Sequence, residues 1–148
     1  MQKIGPVGLA LAIVTMWVGM AVAQTDQHGV RHDLGQPERV TVIDFAAAWC
    51  VPCWKSLPHL EALAARHPDI GFLVVSVDDS VNGRDQLVSK LALTLPVIWD
   101  ADHMIAEHFE PQGMPATFVL DVRGTIIYQH FGYAQDTWAA FVDLLDGF

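Results

Sequence analysis

The chain has 148 residues, enough for one compact domain with a real core. It carries a net charge of −9, with seventeen acidic residues against eight basic ones. Because the basic residues form no cluster, this charge argues against a nucleic-acid-binding role.

The N-terminal segment is apolar and predicts export. After Lys3, no charged residue occurs from Ile4 to Gln24, and Ala21-Val22-Ala23 has the A-x-A form of a signal-peptide cleavage site. We therefore predict a signal peptide over residues 1–23 and a mature protein in the oxidising periplasm. The length of the apolar run keeps one alternative open, an uncleaved inner-membrane anchor formed by residues 4–22.

Residues 24–37 are polar and contain glycine and proline, so they predict a flexible lead-in to a domain over residues 38–148. His28 and His32 stand four residues apart in this segment, but Gly29 lies between them and no third ligand is near. We therefore expect no metal site here.

A buried strand is predicted at Thr41–Phe45, where β-branched and aromatic residues follow one another. After Cys53, apolar residues recur at helical spacing: Trp54, Leu57, Leu60 and Leu63. Cys50 and Cys53, the two cysteines of the chain, thus lie where a strand gives way to a helix. Unpaired N–H groups and the helix dipole favour a thiolate at Cys50, and a C-x-x-C pair at this position predicts a reactive dithiol.

The rest of the chain predicts an α/β fold in which strands and helices alternate. The expected elements are a buried strand at Ile70–Val77, a helix around Leu87–Ala92, a short strand at Leu95–Trp99, a helical segment at Asp100–Phe109, a strand at Thr117–Leu120, a turn at Asp121–Gly124, its antiparallel partner at Thr125–Phe131, and a last helix from Gln135 or Asp136. The first strand–helix–strand unit implies a right-handed crossover and a parallel pair of strands.

Two motifs identify a family resemblance over about residues 38–148. Trp49-Cys50-Val51-Pro52-Cys53 lies between strand and helix, and Gly113-Met114-Pro115-Ala116-Thr117 precedes a hairpin. Together they resemble the thioredoxin superfamily, and most closely the exported TlpA/ResA-like thiol–disulfide oxidoreductases. The resemblance implies a thioredoxin fold, with a central mixed β-sheet flanked by helices and a TlpA-like insertion beginning at Leu95-Pro96-Val97.

Three features depart from the pattern of these relatives. Asp44 stands where TlpA-like proteins often have asparagine. Val74 takes the place of a lysine that neighbours this acid in thioredoxins. No long extra segment stands between the predicted signal peptide and the first predicted strand, where many TlpA-like members carry a hairpin.

The resemblance and the chemistry of the residues assign roles to the site. Cys50 is expected to be the attacking thiol and the more exposed cysteine, and Cys53 the thiol that resolves the mixed disulfide. Asp44, on a buried strand, is the candidate base for Cys53, with a pKa raised by desolvation.

Five further residues are expected to contact the substrate. The resemblance implies a cis peptide bond at Pro115, which would bring the backbone of Met114 beside Cys50 so that an extended substrate could pair with it. Trp49 is expected to offer partners an apolar contact face, together with the intervening residues Val51 and Pro52.

The function expected from these features is dithiol–disulfide exchange with exported protein substrates, in the reducing direction because Val51-Pro52 contains no cation. The redox-active disulfide would serve in place of a bound cofactor. The resemblance further implies a membrane electron donor of the DsbD/CcdA type and a role such as cytochrome c maturation. The alternatives left open are a disulfide oxidase or isomerase, a thiolate site for copper, and a peroxidase.

Overall fold

The computed structural model describes residues 23–148, so the predicted signal peptide or anchor lies almost wholly outside the described residues. Seven strands and four helices follow in order: β1 (Ala23–Thr25), β2 (Arg31–Asp33), β3 (Thr41–Ala46), α1 (Val51–Arg66), β4 (Gly71–Ser76), α2 (Val81–Leu91), β5 (Val97–Trp99), α3 (Met104–Phe109), β6 (Ala116–Leu120), β7 (Ile126–Phe131) and α4 (Gln135–Leu145). No helix within residues 23–148 is long and apolar enough to cross a membrane.

Five of the strands form one mixed sheet in the order β5-β4-β3-β6-β7. Strands β3, β4 and β5 are parallel to one another, whereas β6 runs antiparallel to β3, and β7 antiparallel to β6. This arrangement confirms the predicted α/β class, the parallel pair and the C-terminal hairpin. The continuous apolar sequence of β4 predicted a buried strand, and all six residues of β4 are buried.

Helices cover the sheet on both faces, and each face has its own buried cluster. Successive side chains of a strand point to opposite faces, so Val42 and Ala46 lie on one face of β3, and Ile43 and Phe45 on the other. The first face packs against α1, α2 and α4, and the second against α3. The face under α1 therefore also lies under the two cysteines.

The prediction of a flexible lead-in over residues 24–37 is wrong for most of that segment. Strands β1 and β2 form an antiparallel hairpin with Gln24 opposite His32. Gln27 fixes the hairpin on the outer edge of the sheet: its amide donates to the Leu95 carbonyl oxygen at 2.8 Å and accepts the Val97 N–H at 2.6 Å. This side chain thus satisfies edge groups that would otherwise be unpaired.

A partly buried hydrogen bond between His32 and Asp26 holds the hairpin together. His32 Nε2 lies 2.8 Å from Asp26 Oδ2, and Asp26 also accepts the backbone N–H groups of His28 and Val30. Burial acts to raise the pKa of Asp26, but these hydrogen bonds outweigh it and hold the pKa below its ordinary value. His32 is therefore part of the fold, which sequence spacing alone did not reveal.

Candidate redox site

The two cysteines form a disulfide at the start of α1. Helix α1 begins at Val51, Cys50 occupies the N-cap position, and the Cys53 N–H donates to the Cys50 carbonyl oxygen at 3.1 Å. Cys50 retains 4% of its surface and Cys53 none. Cys50 is thus the more exposed of the pair, and its sulfur lies where unpaired helix N–H groups favour a negative charge.

The loop that leads into the disulfide is held by side chains from other elements. The Ala48 N–H donates to both carboxylate oxygens of Asp78, at 3.0 and 3.1 Å, and the Trp54 indole donates to the Ala48 carbonyl oxygen at 2.8 Å. Asp78 is buried at the end of β4 and also accepts the Ser76 hydroxyl. A Cβ at Gly83 would lie 2.2 Å from the Asp78 Cγ, so only glycine leaves room for this carboxylate.

The Met114–Pro115 peptide bond is cis, as the family resemblance implied. Pro115 is buried, and its carbonyl oxygen accepts the Gly132 N–H at 2.7 Å. Met114 is half-buried and packs against the clusters on both faces of the sheet. The segment at the start of β6 is thus fixed by the loop that follows β7.

An apolar surface flanks the disulfide. Trp49 is 63% exposed and Val51 is 72% exposed, and Pro52 is also exposed. Trp49 is therefore not a core residue. Trp54 and Trp99 are instead half-buried, and the Trp99 indole donates to the Asp78 carbonyl oxygen at 2.8 Å. Large exposed apolar side chains side by side are typical of a contact surface for a partner.

Asp44 is buried in the layer beneath α1. It lies on the same face of β3 as Val42 and Ala46, which belong to the buried cluster that contains both cysteines. Only 2% of its surface is exposed; Oδ1 accepts the Thr117 hydroxyl at 2.7 Å, and Oδ2 has no hydrogen-bond partner. Desolvation raises the pKa of Asp44 to about 7, although the Thr117 hydrogen bond acts in the opposite direction.

Three polar residues near the site were not singled out by the sequence reasoning. Asp78 and Thr117 make the hydrogen bonds described above. His130 is buried, and its Nδ1 has no partner. Burial lowers the pKa of His130. The sequence signal that could have identified His130 is the alternation of side chains between the two faces of β7, which places His130 on the same face as Tyr128.

Nothing in the part of the chain from residue 23 onward gathers three metal-ligating side chains. His32 Nε2 is engaged by Asp26. The groups that the fold brings to the site are the two cysteines, Asp44 and the backbone around Pro115.

Comparisons with known proteins agree with this geometry. The sequence profile of the Redoxin family matches residues 17–144. The chain is 29% identical over 87 residues to the thiol-disulfide oxidoreductase ResA of Oceanobacillus iheyensis, a match that covers 57% of this chain and 45% of that protein. It is 23% identical over 135 residues to the sporulation thiol-disulfide oxidoreductase A of Bacillus subtilis, covering 80% of this chain and 82% of that protein.

A shorter match, 43% identical over 42 residues, relates the chain to thioredoxin domain-containing protein 2 of Rattus norvegicus, covering 28% of this chain and 8% of that protein. Two of these three matches therefore span less than half of the relative's length. Among solved structures, a putative thiol:disulfide interchange protein DsbE from Chlorobium tepidum superposes with a TM-score of 0.76 at 22% identity, covering 84% of this chain and 90% of that one. The chain belongs to the Redoxin family and has the thioredoxin fold, in a form similar to ResA and its relatives.

Proposed function

We propose that this protein is a thiol–disulfide oxidoreductase that exchanges the Cys50–Cys53 dithiol with disulfides of exported proteins. The observation that carries the proposal is the disulfide at the N-terminus of α1, in which Cys50 is 4% exposed and Cys53 is fully buried. A structural disulfide normally joins distant segments, whereas this one closes a ring within a single helical turn. The exposed side chains of Trp49 and Val51 supply a surface on which a protein substrate can dock.

In the reducing direction the reaction has two displacements. The Cys50 thiolate attacks one sulfur of the substrate disulfide, so that a mixed disulfide forms and the first substrate thiolate leaves. Cys53 then attacks the Cys50 sulfur, which closes the Cys50–Cys53 disulfide and releases the second substrate thiolate. Two electrons pass from the protein to the substrate. Asp44 accepts the proton that Cys53 must lose, and a carboxyl group with a pKa of about 7 suits proton transfer at neutral pH.

The backbone next to Pro115 is the proposed site for the substrate main chain. Strand β6 begins at Ala116, immediately after the cis bond, so Met114 lies just outside the paired part of the strand. An extended substrate segment can pair with such a free backbone as an added strand. Val51 and Pro52, both exposed, would contact the same segment from the other side of the disulfide.

We place the protein in the periplasm as a reductant, on the basis of its N-terminal sequence and the absence of a cation in Val51-Pro52. In strongly oxidising relatives, extra stabilisation of the thiolate favours the reduced form, and this dipeptide supplies none. The disulfide itself would be the redox group, so electrons would arrive by exchange from a membrane donor of the DsbD/CcdA type rather than from a bound nucleotide. Cytochrome c maturation is the process that the family resemblance suggests.

The test is to trap the mixed disulfide. In Cys53→Ser, the Cys50 thiolate still attacks a disulfide substrate such as insulin, but nothing releases the product, so a covalent adduct should accumulate on non-reducing gels. Cys50→Ser is the matched control and should form at least about tenfold less adduct, because the remaining thiol is fully buried. Equal trapping by both variants, or by neither, would contradict the proposal.

The reduction potential of the wild-type pair, equilibrated with a dithiothreitol or glutathione buffer, tests the direction. A value near that of thioredoxin, about −270 mV, is expected for a reductant. A value close to −120 mV would instead make the protein a disulfide donor, and the oxidase or isomerase alternative would replace the reductant.

A further inference from the structure

Three polar side chains form a row across neighbouring strands beneath the redox helix. In the sheet register, Asp44 of β3 lies opposite Thr117 of β6, and Thr117 lies opposite His130 of β7. Directly opposed residues of antiparallel strands share a face of the sheet. The ring of His130 lies 5.3 Å from that of Phe141 of α4, so this face is the one that α1 and α4 cover.

The row is buried and its hydrogen bonding is incomplete at both ends. Asp44 is 2% exposed, Thr117 1% and His130 7%. The Thr117 hydroxyl donates to Asp44 Oδ1, while Asp44 Oδ2 and His130 Nδ1 have no partner. Leaving two buried polar atoms unpaired lowers stability, because each has lost its bonds to water and gained none in the protein. Such a cost on both sides of one hydroxyl indicates that these atoms serve a purpose other than stability.

Few other charged groups lie beside Asp44 and His130, so each has few neighbours besides the other that could shift its pKa. On its other side, Asp44 lies next to Val74 of β4. Facing His130 are Tyr128 on its own strand, whose ring centroid lies 5.6 Å away, and the apolar ring of Phe141 of α4. Burial raises the pKa of Tyr128, which keeps the phenol neutral at physiological pH.

Three other side chains of this layer can ionise, two of them only when the disulfide is reduced. The cysteines on α1 are joined in the disulfide, and Asp78 at the end of β4 is engaged by Ala48 and Ser76. Among the described residues that face this layer, His130 is thus the one basic group in the row with Asp44.

We propose that His130 is a positioning residue for the exchange reaction, which acts through Thr117 to control whether Asp44 holds a proton. An imidazolium at His130 favours a carboxylate at Asp44, and a carboxylate at Asp44 favours the imidazolium. Over a range of pH the two groups share a single proton, held as carboxylic acid with neutral imidazole or as carboxylate with imidazolium. The coupling itself is a property of the fold, and only its effect on the Cys53 proton rests on the proposed function.

The coupling is measured by NMR titration of the Asp44 carboxyl carbon and the His130 ring nitrogens in the purified protein. In wild type, both groups should titrate in two steps. His130→Gln should leave Asp44 with one step and a midpoint raised by about half a pH unit or more. Asp44→Asn should lower the His130 midpoint by the same amount, since coupling between two sites is reciprocal.

His108→Gln is the matched control, because His108 lies exposed on α3 on the opposite side of the sheet. It should leave the Asp44 curve unchanged. An Asp44 midpoint that is the same in wild type and in His130→Gln would overturn the proposal. If His130→Gln does not fold, the Asp44→Asn variant still tests the proposal, because the titration of His130 is measured there with the histidine present. An unchanged His130 midpoint in that variant would overturn the proposal.

A second measurement connects the coupling to the reaction. The pH profile for release of the mixed disulfide by Cys53 should shift in His130→Gln in the direction of the Asp44 midpoint, whereas a merely structural defect would lower the rate at every pH. A titration without coupling, together with normal trapping by Cys53→Ser, would refute the role of His130 and leave the oxidoreductase function standing. Failure of trapping with intact coupling would refute the oxidoreductase function and leave the coupling between His130 and Asp44 standing.

Discussion

Two buried carboxyl groups, one on each side of the five-stranded sheet, differ in how their oxygens are bonded. On the side of α3, Asp100 is fully buried and both of its oxygens are engaged, by the N–H groups of Ile105 at 3.1 Å and Ala106 at 2.8 Å. On the side of α1, Asp44 has one oxygen engaged and one without a partner. A fully satisfied carboxylate stabilises a helix start, whereas a half-satisfied one is an expensive group that is suited to exchanging a proton.

The apolar packing also differs between the two faces, since it is continuous on one and interrupted by polar residues on the other. Phe45, Phe109 and Phe118 form a compact aromatic cluster on the α3 side, with ring centroids 5.2 to 5.7 Å apart. On the α1 side the core is interrupted by the polar row of Asp44, Thr117 and His130. We therefore expect the α3 face to carry more of the stability and the α1 face to carry the chemistry.

The largest loss of stability is expected on the α3 face. Phe118→Ala removes a ring that is 1% exposed and contacts two others, and it should lower the free energy of unfolding by about 3–5 kcal/mol. Urea denaturation measures this change. Below the unfolding transition, mixed-disulfide trapping in the Cys53→Ser background should persist. The matched control is Ile127→Ala on the exposed edge of β7, with a cost below about 1 kcal/mol.

A gain of stability is expected from Asp44→Asn, and it should depend on pH. The pKa of Asp44 is about 7 in the native state, against an ordinary value of 3.8 for an aspartate in the unfolded chain. Between these values the native state binds a proton that the unfolded chain has lost, so wild-type stability falls as pH rises from about 4 to 7. Asparagine avoids this loss, and its side-chain oxygen can still accept the Thr117 hydroxyl. The variant should therefore gain up to about 4 kcal/mol at pH 8 and almost nothing at pH 3.

Parallel denaturation curves at the two pH values measure this gain, with Asp143→Asn on the exposed surface of α4 as control. A gain that is equal at both pH values would mean that the pKa of Asp44 is the same in the native and the unfolded state. The same substitution should slow release of the mixed disulfide by about a hundredfold or more at neutral pH, because it removes the proton acceptor for Cys53.

The smallest of the three effects is expected from Asp100→Asn, which tests the other carboxyl group. An amide has one oxygen where the carboxylate has two, so one of the two N–H groups at the start of α3 loses its acceptor. The cost should be about 1–3 kcal/mol, measured by urea denaturation at pH 7. Disulfide exchange should be unaffected. Slowed exchange in this variant would show that the two faces are not functionally separate.

The local sequence determined the elements that carry the cysteines. β-branched residues at Thr41–Phe45 and helical periodicity after Cys53 specified a strand and a helix, and the structure has them as β3 and α1. These features were predictable because they depend on neighbours a few residues apart. The desolvation of Asp44 was predictable for the same reason, since a carboxyl group within an apolar strand has to be buried with it.

The hairpin and the polar row were decided only by tertiary structure. Residues 24–37 look like a linker in sequence, and they are ordered as far as Asp33 because Gln27 meets the backbone of β5 some seventy positions away. The row depends on the register of three strands, which brings Thr117 beside Asp44 across 73 positions of sequence. Strand register is set by the packing of the whole sheet and not by local propensity, so a lone histidine at position 130 could not be assigned to the site until the sheet was known.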